Sequence, residues 1–395
     1  MNKLMATTAV LAASATTAMA GGIDRNQAPI SILFQDGRYA ELSFSVANPQ
    51  ISGNYSPTLT ALGGGVSSTG NMAKSYSSYS LGYKMPLTDQ LDLALIINQP
   101  YGADASYTEG FYTGLEATWD STAYTALLKY SINDRMSVYG GPRILQSSAD
   151  IAIPVSLGAP ASDPDGAAAL GGGPLPGSIA SDYTAVGEQA TDYGYVVGAA
   201  YEIPDIALRV ALTYQSAITH NFDTLETYTM LGLPGPTFTP VSANTETEVE
   251  MPQSLTLDFQ TGVAAGTLVF GSVRWTEWTA WEVRTPAYES ETGAEIVSFD
   301  NDTITYQLGV GRRLSEEWSV FGRVTYEESK GGISSRLAPT DGITSLGIGG
   351  VYTKDNMTVR AGMEFARLGD AEDSTATMFE DNTAVGFGLT LGYRY

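Results

Sequence analysis

The sequence predicts an all-β chain folded as a 14-stranded antiparallel transmembrane β-barrel, and three features lead there. Residues 383–395 put an apolar side chain at every odd position from Val385 and finish on Tyr395. A period-two run that long has one greasy face and one small or polar face, and its length suits the roughly 9–11 residues that a tilted strand needs to cross a bilayer. At the other end, Lys3 precedes an apolar stretch over residues 4–15 and the small-residue site Ala18-Met19-Ala20. Finally, hydrophobic residues make up 43% of the chain and mean hydropathy is near neutral, yet beyond the leader no run of about 18 apolar residues occurs. A barrel hides its membrane signal in alternation.

Taken in order, residues 1–20 read as a secretory signal peptide, with the mature chain starting at Gly21. As a retained anchor helix the same stretch is short and weakly hydrophobic. A brief extension over residues 21–37 precedes the barrel, 38–395. The first strand covers 38–52, with Ala40, Leu42, Phe44 and Val46 on one face and Glu41, Ser43 and Ser45 on the other. The second carries Tyr79, Leu81, Tyr83 and Met85 and turns at Pro86-Leu87-Thr88-Asp89 into a third with Leu91, Leu93, Leu95 and Ile97. Further strands centre on 124–132, 136–149, 191–201, 208–214, 255–259, 269–275, 304–310, 318–326, 343–352, 357–365 and 385–395, which completes an even number, as an up-and-down barrel requires.

Connections of a few residues, such as Asn133-Asp134-Arg135, Pro204-Asp205 and Lys354-Asp355-Asn356, alternate with longer ones near 53–75, 99–118, 150–188, 222–250, 284–302, 328–342 and 368–382. Short turns belong in the periplasm and long loops outside. The absence of Cys rules out a disulfide framework and thiol chemistry. A formal charge of −23, from 20 basic and 43 acidic residues, argues against nucleic acid or an anionic surface as partner. Much of the acidity lies between strands, at 246–250, 289–295 and 370–381, where solvated loops are the plain reading and divalent-ion binding the sharper one.

Strand parity assigns the lumen. If Val269, Val273 and Trp275 face lipid, then Ser272, Arg274, Thr276 and Trp278 face inward, and the same parity turns Arg143, Arg209, Arg323 and Arg360 inward with Glu41, Asp258, Glu327 and Glu364. A charge on the lipid face at mid-depth costs about 2–4 kcal/mol, so these groups are expected as Arg–carboxylate pairs, one or two of which meet an anionic head group instead. The Ala-, Gly- and Pro-rich stretch 154–176 and the segment 231–238 are too apolar for plain linkers and are expected to form an apolar patch at the outer mouth. The single His220 has no placeable base or nucleophile partner in sequence, so catalysis is not expected.

Several segments then resemble the outer-membrane long-chain fatty-acid transporter family (FadL/TodX type): Tyr39-Ala40-Glu41-Leu42-Ser43, Gln99-Pro100-Tyr101-Gly102-Ala103, Ala211-Leu212-Thr213-Tyr214-Gln215-Ser216, Glu250-Met251-Pro252-Gln253-Ser254, Trp275-Thr276-Glu277-Trp278 and Glu317-Trp318-Ser319-Val320. The likeness spans nearly the whole mature chain in the same order. It implies residence in the bacterial outer membrane, a monomeric barrel among outer-membrane lipid and lipopolysaccharide, no cofactor or metal, and passive uptake of hydrophobic small molecules, foremost long-chain fatty acids. It also makes residues 21–37 a short N-terminal hatch, although the family's Asn-Pro-Ala element is absent there and Glu328-Ser329-Lys330-Gly331-Gly332 replaces another family element. On this resemblance, outer capture falls to Leu170, Leu175, Leu231, Leu233 and Phe238. The inner pocket falls to Ile30, Ile32, Leu33 and Phe34 beside Trp278 and Phe321, with Arg143 or Arg274 near the head group. The alternative is a general diffusion porin for small polar solutes.

Overall fold

The computed structural model describes residues 22–158, 179–232 and 237–395. The signal peptide over 1–20 and the loop residues Leu170, Leu175 and Leu233 therefore lie outside the described residues.

One sheet of 17 segments closes on itself. In chain order these are β1 (Tyr39–Gln50), β2 (Tyr76–Pro86), β3 (Leu91–Asn98), β4 (Gly102–Ser106), β5 (Glu116–Ser131), β6 (Met136–Ile153), β7 (Tyr183–Ile203), β8 (Leu208–Gln215) and β9 (Ile218–Gly232). They continue as β10 (Thr237–Met251), β11 (Ser254–Ala264), β12 (Thr267–Thr276), β13 (Thr303–Arg313), β14 (Trp318–Glu327), β15 (Ile343–Lys354), β16 (Met357–Leu368) and β17 (Thr383–Arg394). Three passes are each made of two segments, β3 with β4, β8 with β9 and β10 with β11, so the wall has fourteen passes, all antiparallel. Pro100 and Pro252 sit in two of the breaks; lacking an N–H, a proline cannot donate to the ladder. β17 pairs with β1 along its whole length, from Tyr39 opposite Arg394 to Gln50 opposite Thr383, and closes the barrel.

Register and burial agree with a membrane wall. Leu42 faces Leu391, Phe44 faces Leu389 and Val46 faces Phe387 across the closing seam, and all six side chains are exposed. Their neighbours point inward, where Ser43 and Thr390 are buried and their hydroxyls lie 2.9 Å apart. An apolar outward belt over a polar interior is the arrangement a bilayer selects. Trp318 and Tyr352 meet at 4.9 Å in a tilted arrangement beside the short turns, where an interfacial aromatic girdle sits. The two-residue turn Asp355-Asn356 between β15 and β16 holds Asp355 at φ 51°, in the left-handed region that tight hairpins use.

One expectation is corrected. Residues 222–250, read as a loop, form most of a long hairpin in which β9 and β10 pair residue for residue from Ile218 opposite Met251 to Gly232 opposite Thr237. The stretch is dense in Thr, which suits a pleated, half-buried surface, and its frequent Glu residues disguise the alternation. The hairpin rises at the long-loop end and carries side chains that hold the neighbouring loop.

The N-terminal segment lies within the barrel. Its backbone bonds to the β3–β4 break, Arg25 N to Pro100 O at 2.8 Å, Asn26 N to Gln99 O at 3.1 Å and Gly102 N to Ile23 O at 2.9 Å. It then makes a single 3-10 turn, Ile30–Phe34, and emerges at the short-turn end to start β1.

Candidate functional site

Apolar side chains of the 3-10 turn anchor the lower lumen. Ile32 and Leu33 are fully buried against Ala94, Ile96, Leu127, Tyr139, Val196, Ala200 and Ala211 of the wall. Gly82 admits Ile32, because a Cβ there would lie 2.5 Å from the Ile32 Cδ1. Phe34 meets Tyr139 edge-on at 6.0 Å and carries the Arg209 guanidinium 4.5 Å and the Lys129 ammonium 5.3 Å from its ring. Cations over an aromatic face are attracted by its quadrupole, so the turn is fixed both by burial and by charge.

On the opposite side of the same segment lies a chamber of about 290 Å³, bounded by residues 24–31 and by polar groups of β8 and β11 to β16. Parity is realised here: Arg274 pairs with Asp24 of the N-terminal segment, and Arg323 pairs with Glu364, which also accepts from Ser345. Arg25 reaches Asp104 at 2.6 Å and lies 4.3 Å from the centre of the Tyr76 ring. Arg143 differs. It is only 2% exposed, the Tyr101 ring lies 5.6 Å from its guanidinium, and no carboxylate approaches it within ion-pair distance among the described residues.

Higher in the lumen a third environment is almost wholly apolar. Ile23, Ala103, Ala117, Thr118, Trp119, Ala149, Ile151, Trp281, Val283, Val297, Phe299, Leu337 and Ala338 enclose a cavity of about 30 Å³. Trp119 and Trp281 meet at 5.9 Å, Trp281 and Phe299 at 5.1 Å, and Trp278 packs on Phe299 at 5.4 Å and on Tyr101 at 6.1 Å. Gly22 permits this close approach, since a Cβ there would fall 2.2 Å from the Trp278 ring, and its φ of +88° suits glycine alone. A larger depression of about 640 Å³, between Leu42, Leu81, Leu95, Tyr124, Ile144 and Leu391, opens on the lipid face and not on the lumen.

Hydrogen bonds brace the outer mouth. The Glu226 carboxylate of β9 is fully buried and accepts from Tyr183 Oη and Thr245 Oγ1 at 2.6 Å each and from the amides of Ala287 and Tyr288 at 3.0 Å each. It therefore ties the helix Pro286–Thr292 to the hairpin. Tyr112 donates to Asp373, which in turn accepts from the amides of Thr375 and Thr377 at 2.9 and 3.1 Å. Burial raises the pKa of the Tyr112 hydroxyl, and the Asp373 charge raises it further.

The predicted residues thus fall in separate places. Ile32, Leu33 and Phe34 share the lower cluster with the half-buried Ile30. Trp278 belongs to the upper aromatic group, and Phe321 packs with Leu268, Phe270 and Val351 near the short turns. A single pocket joining all of them is not formed, because strand register sets Trp278 at the long-loop end and Phe321 at the other. Arg274 is engaged by Asp24, whereas no acid among the described residues engages Arg143. Leu231 is half-buried at the hairpin, and Phe238 is 61% exposed there. Trp119 and Trp281 were not singled out from sequence; the only signal was Trp281 three residues after Trp278. His220 also gains a partner that sequence did not place, Asp192, 2.8 Å from Nδ1, but Nε2 bonds to nothing among the described residues, so no nucleophile is coupled to it.

Residues 2–394 match the family model described as outer membrane protein transport protein (OMPP1/FadL/TodX). The chain belongs to this family. Among solved structures, a FadL homologue from Pseudomonas aeruginosa superposes with a TM-score of 0.71 at 15% identity, covering 96% of this chain and 99% of the other. The toluene transporter TbuX of Ralstonia pickettii gives 0.63 at 14% identity over 96% and 97%, and the toluene transporter TodX of Pseudomonas putida gives 0.65 at 11% over 97% of each. No curated protein sequence matches the chain. At these identities the solved structures establish the fold, and the family model establishes an outer-membrane transporter of hydrophobic molecules. Membership of this family does not favour the alternative of a general diffusion porin.

Proposed function

We propose that the cargo is a long-chain fatty acid, and that Arg143 is the cation that meets its carboxylate. The carrying observation is the buried guanidinium with no acid within ion-pair distance among the described residues, in a lumen where Arg274 and Arg323 are each matched. A buried charge of that kind is costly unless paired, and a cargo carboxylate supplies the pair. Apolar contact supplies most of the affinity, since each buried methylene contributes about 0.8 kcal/mol. In this reading Leu170, Leu175, Leu231, Leu233 and Phe238 collect the cargo outside. The aromatic group around Trp278, Trp281 and Phe299 receives it next, and residues 21–37 act as a hatch, held through Ile30, Ile32, Leu33 and Phe34 below and through Asp24 and Arg25 above. Phe321 then belongs to the wall near the exit side.

A second reading, monoaromatic hydrocarbons, is favoured by the clustered indole and phenyl rings and by the toluene transporters among the structural relatives. Uptake of labelled oleate and labelled toluene by cells lacking their own channel separates the two. Arg143→Ala is expected to lower oleate uptake at least fivefold and to leave toluene unchanged, while Arg274→Ala affects both weakly. Equal loss of both cargoes in Arg143→Ala would count against the head-group assignment.

A further inference from the structure

We infer that the tryptophan-lined cavity receives a cargo oxygen that accepts hydrogen bonds and donates none, so that the barrel prefers hydrophobes bearing a carboxylate, ester or ketone over hydrocarbons of equal shape. This inference rests on the reading of the upper aromatic group as part of the transport path. Three indole N–H groups are buried there, those of Trp119, Trp278 and Trp281, and none has an acceptor among the described residues. Indole nitrogen is a donor only, and a buried tryptophan ordinarily finds a partner for it. Leaving such a donor unmet carries a free-energy cost, and here three of them sit within one ring cluster, with Trp281 5.9 Å from Trp119 and 6.4 Å from Trp278.

The surrounding side chains explain why the partner must come from outside the protein. Two of the three indoles, Trp119 and Trp281, border the cavity directly, and the remaining lining is aliphatic or phenyl apart from the Thr118 hydroxyl. The cavity's 30 Å³ matches about two water-sized groups, the size of a carboxylate or ester oxygen pair and too little for an alkyl chain. An acceptor seated there is offered to the Trp119 and Trp281 donors that border the cavity, while the apolar body of the cargo stays in the lumen beside it. An alcohol or amine would bring a donor with only one hydroxyl to receive it, and a hydrocarbon would leave every indole donor as it is.

Acetophenone and ethylbenzene test this, being similar in shape and differing in one carbonyl. Binding is measured on the full-length protein in lipid nanodiscs, corrected for partition into the lipid. Acetophenone is expected to bind about tenfold more tightly, the ratio that a single hydrogen bond supports. The double variant Trp119→Phe/Trp281→Phe, which keeps an aromatic ring at both positions and removes both donors, is expected to erase that ratio whatever its effect on the affinity for either probe alone. In the unaltered protein, indole N–H proton resonances should move downfield with acetophenone and not with ethylbenzene, a readout that does not depend on the variant folding. Equal affinity for the two probes, or indole resonances that ignore the carbonyl, would overturn the inference and leave hydrophobe transport standing. Failure of both probes to bind would instead remove the aromatic group from the transport path.

Discussion

Glu226→Ala is expected to free the helix Pro286–Thr292 without unfolding the barrel. Glu226 accepts four hydrogen bonds, two of them from the amides of Ala287 and Tyr288 in the first turn of the helix Pro286–Thr292. Hydrogen bonds to a charged group contribute about 1.5–3 kcal/mol each and are not additive, so the two amide bonds together hold that helix by about 3 kcal/mol. Their loss should lower the hydrogen-exchange protection of the Ala287 and Tyr288 amides by about two orders of magnitude. Glu226→Gln should fall between the unaltered protein and the alanine variant, because its amide keeps one acceptor oxygen and turns a donor toward the amide and hydroxyl that met the other. Protection in β1 and β17, at the closing seam, should not change. The assay is amide exchange on the protein in nanodiscs, read by mass spectrometry over residues 284–302. Unchanged exchange across that segment would refute the role given to the buried carboxylate, and global loss of protection would show that the hairpin stabilises the whole wall.

Two further outcomes follow from the described contacts. Glu364→Ala leaves Arg323 buried without its carboxylate and should cost about 3–5 kcal/mol. It should lower the temperature at which the barrel ceases to migrate as a compact species in electrophoresis, whereas Arg323→Met/Glu364→Leu should recover most of the loss. At high pH the outer loops should loosen before the wall. Burial pushes the Tyr55 hydroxyl up to about 12 with help from the Asp373 charge. Because the folded value is raised, the contribution of the neutral phenol is present below the ordinary tyrosine pKa near 10 and fades as pH climbs toward about 12. Tyrosinate absorbance, compared between the native protein and Tyr55→Phe, checks the assignment.

The wall was legible because bilayer physics leaves few options. Alternation in residues 383–395 or 38–52 records which face meets lipid, and the same parity set Arg209, Arg274, Arg323, Glu327 and Glu364 inside, where the structure has them. The hairpin of β9 and β10 was missed because it rises past the main run of the wall, where Glu246, Glu248 and Asp223 occupy its exposed face and apolar alternation weakens. The upper aromatic group was missed for a different reason. Trp119 comes from β5, Trp281 and Phe299 from the segment between β12 and β13, and Ile23 from the N-terminal segment, so three distant pieces of chain meet only after the barrel has closed. Strand parity carries no information about how a loop folds back into a lumen. The same limit applied to Arg143 and Arg274, indistinguishable by parity and separated only by where Asp24 comes to rest.

The central claim, a barrel that passes hydrophobes and excludes small polar solutes, is tested most directly by parallel uptake of labelled oleate and a small labelled sugar in cells deleted for their own fatty-acid channel and expressing this chain. The account predicts oleate uptake well above the empty-vector level with no rise in sugar uptake. Sugar uptake without oleate uptake would contradict it.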